Sequence, residues 1–134
     1  MTYLLDTHAW IQIVCGEKLP PLLVRTLEAN KDSLALADIS LWEAAKLIEL
    51  GRLRLSVPFS EFFRLSLAPE LIVLPITPTI AEEVTQLQAT GFHKDPADQL
   101  IVATARVHGL HLISDDSRIR KWGKIPMLWR SFRR

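Results

Sequence analysis

The sequence predicts an α/β domain built on a mostly parallel sheet, and three observations predict it. Strand-length apolar runs alternate along the chain with stretches of helical periodicity. Two of those segments, Tyr3-Leu4-Leu5-Asp6-Thr7-His8 and Leu110-His111-Leu112-Ile113-Ser114-Asp115-Asp116, lie near opposite ends of the chain, and in both a strand-like run gives way to an acid. The segment after Asp95-Pro96 is apolar nearly all round, as a helix buried against a sheet must be. With 134 residues, 49% hydrophobic and 23% charged, and no repeat or low-complexity stretch, the chain fits one domain, 1–134, with a real core.

In order, the run from Tyr3 is a short buried strand ending on an acid. Ala9 to Val14 reads as a short helix, and Pro20 to Ala29 as another, with Pro21 early and Leu22, Leu23 and Leu27 on one side. Leu34-Ala35-Leu36-Ala37 is the second strand. Ser40 to Leu50 has apolar residues at helical spacing, with Gly51 placed for a left-handed cap. Phe59 to Ala68 is helical, Leu71 to Leu74 is the third strand, and Thr77 opens a helix over Pro78 to Thr90. The best-marked helix has Asp95 as N-cap, Pro96 at its first position and Gly109 just past its end. Leu110 to Ile113 is the last strand, and Ser117 to Trp122 a short helix.

Four acids stand at the ends of strands or in first helical turns: Asp6, Glu43, Asp98 and Asp116. For three of them the local sequence offers an ordinary structural reading. Ser40-Leu41-Trp42-Glu43 has the form of a capping box, Asp95 and Asp98 suit the positive end of a helix, and Asp115-Asp116 suits a turn and cap. Asp6 has no such partner in the local sequence. Taken jointly the acids point to a cation, because ligands of open α/β sheets bind beyond the carboxyl ends of strands. Like charges ~4 Å apart repel by roughly 4 kcal/mol at an effective dielectric of 20, so a fold that gathers them needs a counter-charge. Oxygen-only ligands suit Mg²⁺, with Mn²⁺ able to substitute, and such an ion supports phosphodiester hydrolysis. Thr7, Ser40 and Ser114 would then orient carboxylates or water, or serve as ordinary caps.

Other chemistries lack their signals. Cys15 is the only cysteine, which excludes an intramolecular disulfide and a cysteine-rich zinc site and suits a reducing compartment. His8, His93, His108 and His111 have no metal-ligand spacing and read as packing or surface residues. There is no glycine-rich phosphate loop and no Gly-x-Ser-x-Gly elbow. No run allows a membrane span or a secretory leader, so the expectation is a cytoplasmic protein. The net charge of +1 hides a basic tail: Ser117 to Arg134 holds seven bases and no acid, against nine bases and 15 acids before it. Such a tail suits phosphate, an acidic partner or simple solvation. Trp10, Trp42, Trp122 and Trp129 read as core or interface aromatics, the last two with the option of stacking on a base.

Taken together, Leu4-Leu5-Asp6-Thr7-His8-Ala9-Trp10, Ser40-Leu41-Trp42-Glu43, Asp95-Pro96-Ala97-Asp98-Gln99-Leu100, Leu112-Ile113-Ser114-Asp115-Asp116 and the closing Trp122-Gly123 and Leu128-Trp129 resemble a PIN-domain ribonuclease of the VapC toxin type. The resemblance implies a PIN-like three-layer α/β/α sandwich and Mg²⁺-dependent endonucleolytic cleavage of RNA, commonly a tRNA or rRNA, leaving 5′-phosphate and 3′-hydroxyl ends. It implies Asp6 and Asp98 as principal metal ligands, Glu43 acting through a bound water or as general base, and Asp116 as the more variable fourth acid, with Asp115 one residue away. It also implies a small antitoxin partner filling the acidic groove and a toxin homodimer or larger assembly. Gln99 departs from the arginine usual after the third acid. Two rivals are a non-catalytic PIN-like module whose groove binds a basic peptide, and a metal-dependent nuclease acting on DNA.

Overall fold

The computed structural model describes residues 1–67 and 70–129. Ala68, where the fourth expected helix ends, and the tail bases Arg130, Arg133 and Arg134 lie outside the described residues. The elements run β1 (Tyr3–Leu5), α1 (Thr7–Val14), α2 (Pro21–Ala29), β2 (Leu34–Ala37), α3 (Ile39–Glu49), α4 (Phe59–Ser66), β3 (Ile72–Leu74), α5 (Pro78–Ala89), α6 (Pro96–His108), β4 (His111–Ile113) and α7 (Ser117–Trp122). A short 3-10 turn at Lys31–Ser33, absent from the sequence expectation, leads into β2. The four strands form one sheet in the order β3-β2-β1-β4, every pairing parallel.

Side chains that alternate along the strands supply both faces of the sheet. Leu4, Ala35, Ala37, Leu74 and Leu112 join a core completed by Ile80 and Leu87 of α5, Ile101, Val102 and Ala105 of α6, and Ile119 of α7. Their neighbours Leu5, Leu36 and Ile113 face the other way, against Ala9 and Trp10 of α1, Leu23 of α2, Ala44 of α3 and Phe62 of α4. Strands this short must be buried on both faces to contribute much, and the result is the expected α/β/α sandwich.

The sheet order also fixes where a ligand can reach. From β1 the chain steps outward through β2 to β3, then crosses back to place β4 on the other side of β1. The direction of travel therefore reverses between β1 and β4, and the crevice beyond their carboxyl ends is the switch point. Asp6 follows β1 there, and Ser114, Asp115 and Asp116 follow β4.

Boundaries differ from expectation where a cap competes with a strand. The first strand stops at Leu5 because Asp6 caps α1, its carboxylate accepting the Ala9 amide at 2.7 Å. At the other end of α6, Gly109 takes the left-handed conformation (φ +66°), and the Leu110 amide returns to the Ala105 carbonyl at 2.8 Å. A Cβ there would meet no atom within 4 Å, so the cost of a side chain is backbone strain alone. Gly109→Val is expected to destabilise the fold by about 1–2 kcal/mol, read from urea unfolding. An unchanged midpoint would contradict this account of the cap.

Candidate active site

Asp6 is 8% exposed at the N-terminus of α1. Burial drives its carboxyl up to about 6, against hydrogen bonds from the Ser114 hydroxyl and the Ala9 amide and the nearby charge of His8, with Asp115 adding to the rise. Thr7 and Ser40 are buried beside it. Their hydroxyl oxygens are 2.8 Å apart, and Thr7 donates to Glu43 Oε1. Since a hydroxyl has one proton, Thr7 must accept from Ser40. A relay from Ser40 through Thr7 to Glu43 thus locks the start of α1 to the first half of α3.

That relay replaces the capping box. The N-cap of α3 is Asp38, without a side-chain cap bond, and the helix begins at Ile39, leaving Ser40 inside its first turn. Asp38 instead accepts from the Ile76 amide at 3.0 Å, tying the end of β2 to the chain after β3. Ser40 and Glu43 have the spacing of a capping box, but both are turned to Thr7, 33 and 36 residues away in sequence.

Asp98 enters from the first turn of α6, where Asp95 is the N-cap as expected and accepts the Asp98 amide at 3.0 Å. Burial raises the Asp98 carboxyl, the hydrogen bond from His93 lowers it, and Asp95 and Asp116 raise it further. Glu43 is likewise raised, by burial first and then, against the Thr7 bond, by Asp98 and Asp95. Asp116 goes the other way. Burial alone would raise it, but the Ile119 and Arg118 amides and the Arg118 guanidinium hold it below the usual carboxylate range. It is the N-cap of α7, so the structural reading of this residue is correct, while its charge still acts on Asp98. Asp115 acts instead on Asp6.

The four acids therefore come from four separate elements to one end of the sheet, together with Thr7, Ser40 and Ser114. Among the described residues, however, no three His, Cys, Asp or Glu side chains are close enough to hold one metal ion as they stand. Side chains that no local pattern marks engage these acids instead. His93 Nε2 is 2.7 Å from Asp98 Oδ2, and Arg118 Nη2 reaches the same oxygen at 3.2 Å and Asp116 Oδ2 at 3.5 Å. A cation of the protein's own already joins two of the acids. Arg118 is two residues past the Asp116 cap, the one sequence signal that could have found it. His8, exposed beside Asp6, and His93 had none.

Gln99 also acquires a role. Its Nε2 donates to the His93 carbonyl at 3.1 Å, bracing the loop that presents His93 to Asp98, while Arg118 supplies the guanidinium beside that acid. The tryptophans divide. Trp10 and Trp129 are buried, Trp122 is half-buried against Phe92 under Arg106, and Trp42 is 56% exposed.

Comparison with known proteins agrees with this architecture. The PIN domain family model matches residues 3–125. Ribonuclease VapC22 of Mycobacterium tuberculosis (strain ATCC 25618 / H37Rv) is 37% identical over 120 residues, covering 89% of this chain and 90% of that protein. Among solved structures, the fold is shared with DNA-bound VapBC from Salmonella typhimurium (TM-score 0.72, 20% identity, 96% of this chain and 97% of that one). It is shared too with FitAcB from Neisseria gonorrhoeae (TM-score 0.70, 22% identity, 96% and 97%). The chain belongs to the PIN-domain family and, within it, to the ribonucleases of the VapC type.

Proposed function

We infer that this protein is an endoribonuclease and the toxin of a toxin–antitoxin pair, cutting RNA by metal-dependent hydrolysis within one domain spanning the chain. What supports the reading is that Asp6 and Asp116 cap helices just beyond β1 and β4, with Glu43 of α3 and Asp98 of α6 raised by neighbouring acids, in a chain 37% identical to a VapC ribonuclease. The donor set is all oxygen, and the rise of Asp6 to about 6 marks a buried carboxylate in want of positive charge. Both features fit Mg²⁺ or Mn²⁺.

Asp6 and Asp98 would hold the ion, after Arg118 releases Asp98, with Asp116 supporting its water shell. When bound, such an ion lowers the pKa of a coordinated water and neutralises charge on a phosphoryl oxygen. Glu43, raised by burial and aimed by Thr7, suits acceptance of the proton from the attacking water. Arg118, freed from the acids, can follow the phosphate. Water attack would leave 5′-phosphate and 3′-hydroxyl ends.

The Ser40–Thr7–Glu43 relay has a measurable role under this reading. Thr7→Val keeps the shape and removes the donor, and is expected to lower RNA cleavage by about 10–100-fold while Thr7→Ser retains most of it. Equal loss in both variants would mean that the hydroxyl does not orient Glu43.

The expected partner is a small antitoxin whose basic segment enters the acidic groove, with toxin copies paired in the assembly. Leu22, Trp42 and Leu50 are exposed and offer apolar contact surface. Among the described residues no helix is long and apolar enough to cross a membrane. The cytoplasm, where Cys15 would stay reduced, is the proposed compartment. The Arg118 bridge supports one rival, a groove that only binds a basic segment. Incubating antitoxin-free protein with structured RNA, single-stranded DNA and flapped DNA, each with Mg²⁺ or chelator, separates the readings. RNA cutting alone supports the ribonuclease, DNA cutting the second nuclease reading, and intact nucleic acid throughout the binding module.

A further inference from the structure

One atom stands between two of the acids. Arg118 Nη2 is 3.2 Å from Asp98 Oδ2 and 3.5 Å from Asp116 Oδ2, so a single nitrogen bridges a carboxylate of α6 and the carboxylate that caps α7. The charge of Asp116 raises the Asp98 carboxyl, and the guanidinium sits where these two like charges act on one another. A bridging cation would take the same place.

The two groups that share Asp98 Oδ2 are held very differently. His93, 2.7 Å from it, stacks on Phe92 with ring centroids 4.3 Å apart, Phe92 meets Trp122 edge-on, and Gln99 donates to the His93 carbonyl. The imidazole cannot leave the acid without unpacking that loop. The Arg118 side chain is 58% exposed on a long unbranched stem, and exposed ion pairs contribute little net stability. Its backbone amide donates to Asp116 Oδ1 at 2.8 Å, so the cap of α7 holds whether or not the guanidinium is in place. The guanidinium can therefore swing away from both acids while α7 stays where it is.

A divalent ion approaching Asp98 or Asp116 thus meets a positive charge already seated there. Either the guanidinium leaves, at the cost of both ion pairs, or it stays and repels the ion. Both outcomes weaken metal binding. We propose that Arg118 is an internal counter-cation that competes with the divalent metal for Asp98 and Asp116, so that this one side chain sets the metal concentration at which the protein becomes active. The proposal rests on reading the acids as the metal-binding cleavage centre. A phosphate of the RNA that draws Arg118 away raises the affinity for metal, and by linkage the metal raises the affinity for that phosphate by the same factor.

The test is calorimetric titration of Mn²⁺ into antitoxin-free, metal-free protein at one pH and ionic strength. Arg118→Gln removes the charge, Arg118→Lys keeps it, and Lys121→Gln removes a charge one turn further along α7. Arg118→Gln is expected to bind Mn²⁺ roughly five- to tenfold more tightly than wild type, at the low end of couplings between sites because the ion pairs are exposed. Arg118→Lys should stay near wild type, and Lys121→Gln should change less than Arg118→Gln. The rise in melting temperature on adding Mn²⁺ should be larger in Arg118→Gln, and half-maximal RNA cleavage should come at a lower Mn²⁺ concentration, whatever the maximal rate. Equal or weaker Mn²⁺ binding by Arg118→Gln would overturn the competition while leaving the metal centre standing. An equal gain in Lys121→Gln would reduce it to the general field of α7 and overturn it too. A wild type and an Arg118→Gln variant that both fail to bind Mn²⁺ would remove the metal centre itself, and this proposal with it.

Discussion

Asp6→Asn and Asp98→Asn are each expected to lower metal-dependent RNA cleavage by about a hundredfold or more without unfolding the protein. Replacing the groups that orient a metal ligand typically costs 10–100-fold, so losing the ligand charge itself belongs at or beyond the upper end of that range. Neither change should be grossly destabilising. Asparagine at position 6 still offers an oxygen to the Ala9 amide, and Asn and Asp are comparable N-caps. At position 98 the side chain is 20% exposed, and the cap of α6 belongs to Asp95. Cleavage assays paired with thermal unfolding check both halves of the claim. Retained cleavage in either variant would place the chemistry elsewhere.

The second large effect is on stability, and its sign follows from burial. The Asp6 carboxyl is at about 6 in the fold against an ordinary 3.8, so between those values the folded protein binds a proton that the unfolded chain has released. Stability from this group is therefore full below 3.8 and lost as pH rises through about 6. The displacement corresponds to about 3 kcal/mol. In metal-free protein, Asp6→Asn should be close to wild type near pH 4 and more stable than wild type by up to about 3 kcal/mol at pH 7.5. Mg²⁺ should recover part of the wild-type deficit at pH 7.5 and do little for the variant. Urea unfolding in chelator at the two pH values reads the difference. A gap that does not change with pH would mean that Asp6 is not a buried carboxylate lacking positive charge.

Much of this architecture was legible because its signals are local. The alternation of apolar runs located every strand and helix to within a few residues, and Asp95-Pro96 with Gly109 bounded α6 correctly. The placement of Asp6 and Asp116 on one side was legible from their position beyond β1 and β4, since a parallel sheet collects strand ends on one side. The partners of those acids were not. Ser40-x-x-Glu43 matches a capping box, yet the helix starts before it, and the pair serves a threonine in another element. His93 and Arg118 meet Asp98 only once α6, its preceding loop and α7 are packed together. Local patterns predict local bonds, and the site is made of distant ones.

The most direct test of the central claim is to treat total cellular RNA with antitoxin-free protein in Mg²⁺, in Mn²⁺ and in chelator, beside Asp98→Asn, and to map the new 5′ ends. Discrete metal-dependent cuts bearing 5′-phosphate, absent from the variant and from chelator, are the predicted result. RNA left intact by folded, metal-supplied protein, or cut equally by the variant, would contradict the assignment of these four acids to phosphodiester hydrolysis.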